Sequence, residues 1–166
     1  MSQHIEPMYS VFEIAYWFIE QNEQAMEEKG ADPMSLSRLL KLLYYAEGCY
    51  LAMHHGKKLF GERIVAQEHG PAIEEVIEDV YDTYRDPYNL VLTDQERKDA
   101  HRIAKEDQEM LEQVFLVFGR YSSWELGEKT RSELPWLEAT QNGQCVNRVI
   151  SQQTMQKYFS ENYVEE

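Results

Sequence analysis

The residues best placed for acid–base chemistry are Glu62, Glu68 and His69, which flank one extended stretch. His69 stands before Gly70-Pro71, a corner that can hold a side chain out to solvent. An imidazole within reach of carboxylates can move a proton, which would suit a hydrolase centred on His69. The same residues serve equally as a turn histidine bonded to nearby backbone and as exposed strand-edge charges. The other histidines, His4, His54, His55 and His101, make no His-Glu-x-x-His or His-x-His pattern. His54 and His55 are adjacent, so on a helix they point about a hundred degrees apart. Cys49 and Cys145 lie far apart without metal-ligand spacing, and Cys49, inside an apolar run, reads as a small buried hydrophobe. No catalytic, cofactor or metal residue is assigned, and the chain reads as a non-enzymatic binding protein.

Composition bounds the partners. The 166 residues suit one domain with a sizeable core, and 43% apolar and 12% aromatic content is too rich for disorder. Sixteen Lys and Arg against thirty Asp and Glu give a net charge of −14, which repels phosphate backbones and anionic membranes. Direct nucleic-acid binding and membrane binding are therefore not expected, and a basic protein partner is favoured through faster association. Unpaired cysteines, the lack of a charged-then-apolar leader and the lack of about eighteen consecutive apolar residues suit a reducing cytoplasm.

The elements that must position these residues follow from local signals. Ser10 with Glu13 makes a capping box for a helix from about Val11 to Glu28, which Gly30 ends. Ser35 or Ser37 starts a second helix to about His54, and Leu36, Leu39, Leu40, Leu42, Leu43, Ala46 and Tyr50 crowd more than half its circumference. It should be the centre of the core. Gly70 as cap and Pro71 at the first position predict a third helix to about Tyr84. Its inward side would be Ile73, Val76, Ile77, Val80, Tyr81 and Tyr84, and its outer face Glu74, Glu75, Glu78, Asp79 and Asp82. Residues 63–66 and 90–92 are candidates for a minor two-stranded β element.

Thr93 with Glu96 opens a long helix to about Tyr121, and Ser122 with Glu125 a short one to about Lys129, packed through Trp124 and Leu126. Residues 134–137 read as an apolar elbow, 140–147 as a loop with an Asn-Gly turn, and 151–159 as the last helix. The expectation is a mainly α, compact single-domain bundle of about five to seven helices. Residues 1–8 would be a loose lead, 9–160 the domain and 161–166 an acidic tail.

Partner-binding candidates come from the corner, the acidic face and the first helix: Tyr16, Trp17, His69, Gly70, Pro71, Glu74, Glu75, Glu78 and Asp79. Like charges three and four apart cost a few tenths of a kcal/mol each, which a basic partner would relieve. Of Tyr9, Tyr16 and Trp17, at least one should face outward, where an aromatic suits a hot spot. Tyr44, Tyr45, Tyr50, Trp124 and Trp136 read as core.

The run Leu40-Lys41-Leu42-Leu43-Tyr44-Tyr45-Ala46, then Gly56, Leu59-Phe60-Gly61-Glu62, Ala66 and Gly70-Pro71, forms one ordered set. A second comprises Ser123-Trp124-Glu125-Leu126, Thr130, Ser132-Glu133, Pro135-Trp136, Ile150 and Tyr158-Phe159. Together they resemble the Panacea antitoxin domain family, which includes phage-associated GepA-like proteins and the SocA antitoxin, over roughly residues 9–160. Gln67, Ala72 and Arg131 stand where that family usually has tryptophan, valine and histidine. The resemblance implies a bacterial, phage- or prophage-associated antitoxin that binds a cognate protein toxin encoded beside it. It would act by occlusion or by delivering the toxin to a AAA+ protease in the manner of the SocA adaptor. The alternative is an acidic phage protein that mimics DNA and inhibits a nucleic-acid-binding host enzyme, which would need carboxylates in two rows at phosphate-like spacing. The sequence assigns no oligomeric state.

Overall fold

A computed structural model describes residues 9–165. The expected loose lead at 1–8, with His4, and the last residue of the expected tail lie outside that range. In chain order the elements are α1 (Val11–Lys29), α2 (Leu36–Met53), β1 (Val65–Gln67), β2 (Gly70–Ala72), α3 (Glu74–Asp82), α4 (Asp94–Ala100), α5 (Lys105–Phe118), α6 (Ser123–Arg131), α7 (Leu134–Ala139), β3 (Arg148–Val149) and α8 (Gln152–Asn162). The class is mainly α with one small sheet, as the periodicity predicts.

Local chemistry sets most helix starts. Reciprocal capping boxes form at Ser10 and Glu13, at Thr93 and Glu96, and at Ser122 and Glu125. A second carboxylate serves α1: Glu62 Oε1 accepts from the Val11 amide at 3.1 Å, one of the helix's orphan donors. At the other end Gly30 takes φ 66. Ser35 caps α2, where every residue from Leu36 to Leu51 except Ser37 is buried. A helix covered all round must be central, and α1, α3, α5, α6, α8 and β2 all pack on it.

Four elements differ from the sequence reading. The third helix starts at Glu74, and Gly70-Pro71 belong to a strand instead: Pro71 sits opposite Ala66 in β2, at the sheet edge, where its missing N–H is harmless. Residues 90–92 form no strand; β1 pairs with β2 and β3 in the order β2-β1-β3, giving three strands. The long helix after Thr93 breaks at residues 101–104, so α4 packs on α1 while α5 packs on α2. Arg97 to Glu23 at 2.5 Å and His101 to Glu20 at 2.7 Å hold α4 in place. The apolar elbow is itself a helix, α7, with Pro135 in its first turn, bringing the described helices to eight.

The ends of elements move side chains across the surface. Tyr81, in the last turn of α3, and Tyr84, beyond its end, are exposed rather than inward. Trp124, expected to pack, is 69% exposed, and only Leu126 of that pair is core. At the other extreme α8 continues to Asn162, and Tyr163 packs within the aromatic core instead of opening an acidic tail. That core joins Tyr44, Tyr45, Phe118, Phe159 and Tyr163. Tyr45 and Phe118 stack at 3.8 Å, and Phe159 lies 5.4 Å from Tyr44 and 5.2 Å from Tyr163. Glu133 closes it from below, accepting hydroxyls of Tyr44 at 3.1 Å and of Tyr163.

A buried carboxylate gives the fold a pH dependence. Glu47 on α2 accepts from the Phe60 amide at 3.2 Å and stands 3.3 Å from Lys58 Nζ, and burial pushes its pKa up to about 7. In the unfolded chain the group ionises near 4.5, so between that pH and about 7 the folded state holds the extra proton. Stability should therefore fall as pH rises through this window, by on the order of 3 kcal/mol, and level off above it. Urea midpoints near pH 5 and near pH 8 should show that slope in the wild type and less of it in Glu47→Gln. Equal slopes in both would refute the assignment.

Candidate partner-binding site

Ser37 is the one exposed residue in the first turns of α2, and Lys41 follows it one turn later on the same side. Lys41 is only 4% exposed. Its Nζ donates to Ser37 Oγ at 2.6 Å and to the Ser37 carbonyl at 3.2 Å. Among the described residues no carboxylate lies within ion-pair distance of it. Burial, with Arg131 adding a like charge, lowers the Lys41 pKa to about 8.

Two glycines let other elements press on this lysine. Gly70 has φ 135, a conformation side chains rarely take, and a Cβ there would lie 3.0 Å from Thr130 Oγ1 and 3.2 Å from Lys41 Cε. On α6, a Cβ at Gly127 would meet the His69 carbonyl at 3.4 Å, and Arg131 Nη1 and Lys41 Cε at 3.6 Å. Trp136 Nε1 donates to the Gln67 carbonyl at 2.9 Å, tying α7 to the hairpin. Over Lys41 an open cavity of about 210 Å³ is lined by Ser37, His69, Pro71, Ile77 and Tyr81 among others. Segments far apart in sequence, around Lys41, Gly70-Pro71 and Thr130 to Trp136, thus meet at one place.

The structure sorts the sequence candidates into four groups. His69, Gly70 and Pro71 lie at the cavity, His69 exposed at the hairpin turn and the other two buried in β2. Next to them α3 shows Glu74, Glu75 and Glu78 to solvent, together with Asp82. Asp79 is half-buried on another side of α3, sharing a separate cavity of about 250 Å³ with Tyr16 and Arg102. Its burial holds the carboxyl above its ordinary pKa. Trp17 is a correction: at 3% exposed it packs edge-on to Phe18 at 5.4 Å, so α1 offers no exposed tryptophan. Tyr16 is half-buried, which leaves α1 a weak binding surface.

The acid–base group read around His69 does not assemble as drawn, because Glu62 is committed to the N-terminus of α1. Among the described residues no cluster of His, Cys, Asp or Glu could hold a metal ion, and no helix is long and apolar enough to cross a membrane. Lys41 and Ser37 escaped the sequence reading. The available signal was a single cation inside the otherwise apolar run from Leu39 to Ala46.

Comparison with known proteins gives one result. The family profile described as antitoxin SocA-like, Panacea domain, matches residues 39–137, a segment that contains the hairpin, α3 and α6 and begins within α2. No curated protein and no solved structure matches the chain.

Proposed function

Because the chain belongs to the SocA-like Panacea antitoxin family, we propose that it neutralises a cognate protein toxin by direct contact through the hairpin cavity and the acidic stripe of α3. The observation that carries this placement is the meeting of the Lys41 and Gly70-Pro71 segments at one open cavity, with Thr130 and Trp136 packed against the hairpin that walls it and Glu74, Glu75 and Glu78 exposed on the adjoining helix. Cavities with apolar walls and a few convergent polar groups are where partners bind. Three neighbouring carboxylates repel one another, so a basic surface set against them gains binding free energy and associates faster. Exposed Tyr81, between stripe and cavity, supplies the aromatic contact typical of hot spots.

Co-expression with the protein of the adjacent reading frame tests both parts. The native chain should restore growth and co-purify with that protein. Glu74→Lys, Glu75→Lys and Glu78→Lys together should weaken the complex about tenfold or more, with the deficit shrinking at high salt. Asp79 is left unchanged because it is half-buried. A folded triple variant that still neutralises would remove the acidic stripe from the interface. A harmless neighbour that does not co-purify would remove the antitoxin reading itself.

A further inference from the structure

We propose that the Lys41 cavity receives a carboxylate of the bound toxin, carried on a short apolar stem. This rests on the antitoxin reading for the identity of the partner, but the pocket chemistry stands on its own geometry. A buried ammonium ordinarily has a counter-charge, because desolvating an unpaired charge is costly. Lys41 has none among the described residues, although the chain carries thirty Asp and Glu. Its bonds reach only Ser37, one turn away, and an ammonium has three donors. Arg131, on α6, adds a second positive charge nearby instead of an anion. In a chain of net charge −14 the combination is a cationic spot to which the fold brings no acidic side chain.

Shape and lining identify the class of anion. The cavity, about 210 Å³, has Leu36, Leu40, Pro71 and Ile77 among its walls, with His69, Gln67 and Tyr81 also lining it. Apolar walls over one buried cation suit a monovalent carboxylate on an aliphatic stem better than a phosphate dianion, which would enter with most of its charge unmatched. Glu74 and Glu78 on the neighbouring helix disfavour a dianion further. The absence of a side chain at Gly70 leaves the hairpin close against the lysine stem without filling the space above it.

The first test needs no toxin. In the full-length chain, the Lys41 side-chain signals should be followed by NMR through a pH titration with sodium valerate, and separately with inorganic phosphate, at matched ionic strength. The other titratable or charged groups facing the lysine are Arg131 from α6, His69 from the hairpin turn and Tyr81 from α3, and His69→Gln serves as the control for the imidazole. Valerate should move the Lys41 midpoint upward from about 8, saturably, in both the native chain and His69→Gln. No response to valerate, or a stronger one to phosphate, overturns the proposal. The second test uses the purified complex: Lys41→Met should melt no lower than the native chain yet bind toxin at least tenfold more weakly. Wild-type affinity in Lys41→Met also overturns it. Amidating the toxin's C-terminus, against replacing its surface Asp and Glu by Asn and Gln, separates the two sources of carboxylate. If no toxin binds the native chain while valerate does, the antitoxin reading fails and the pocket remains.

Discussion

Replacing Phe159 by alanine is expected to lower the free energy of unfolding by about 4 kcal/mol, the largest effect of any single substitution considered for this chain. The ring is fully buried and sits between Tyr44, Tyr45 and Tyr163, with centroids 5.4, 6.0 and 5.2 Å away. It rests on Gly48 of α2, where an added Cβ would lie well inside the van der Waals envelope of the ring. Tyr44 and Tyr45 are fixed on α2, where Tyr45 also stacks on Phe118 of α5, and Tyr163 lies beyond α8, so the rings cannot close together over the gap. A domain of this size has about 5–15 kcal/mol in all, so the loss takes from about a quarter to most of its stability. Urea denaturation followed by tryptophan fluorescence reads the change. A loss below about 1 kcal/mol would mean that α8 is not docked as described.

Gly48→Ala is the companion measurement, because two effects oppose there. Helix propensity alone would raise stability by about 1 kcal/mol. Overpacking against a ring that has no room to retreat costs about 1–3 kcal/mol, so the net sign should be destabilising. Notably, Phe159 and all of α1 lie outside residues 39–137, the segment matched by the family, yet both are part of the one core.

The second large effect is expected at Gly70. Alanine there must hold φ near 135, at a cost of about 1–3 kcal/mol, while its methyl group meets Thr130 Oγ1 at 3.0 Å and Lys41 Cε at 3.2 Å. Thr130 is buried and bonded to the Leu126 carbonyl at 2.8 Å, so it cannot yield easily. The hairpin should lift from α2 and α6, and neutralisation of the toxin should be lost while the aromatic core, further along the same face of α2, stays folded. Far-UV circular dichroism and the growth assay together read this outcome. A variant with native melting and full neutralisation would show that the close approach of the hairpin is dispensable.

The stability and binding predictions bear on different parts of α2. Tyr44, Tyr45 and Gly48 face the aromatic core, whereas Ser37 and Lys41 face the hairpin. One helix therefore carries the candidate site and the aromatic core along the same face, one to three turns apart. Burying a lysine is a poor choice for stability alone, which is why Lys41→Met is expected to cost binding and not folding.

What the sequence alone determined are the features set by neighbours three or four residues apart. The three capping boxes, the left-handed stop at Gly30, the apolar circumference of α2 and the exposed run Glu74, Glu75 and Glu78 all depend on local backbone chemistry and helical period. The ordered motifs of the family were legible for the same reason. The tertiary structure alone decided the rest. Gly70-Pro71 has local preferences that suit a helix start and an edge strand equally, and pairing with β1, which is itself paired with Val149, selects the strand. Periodicity placed Trp17 and Trp124 on faces without saying which face would be covered; α1 buries the first and α6 exposes the second. Lys41 looked like one cation in an apolar run. It became a candidate site only when a hairpin and a helix distant in sequence closed over it and brought no carboxylate with them.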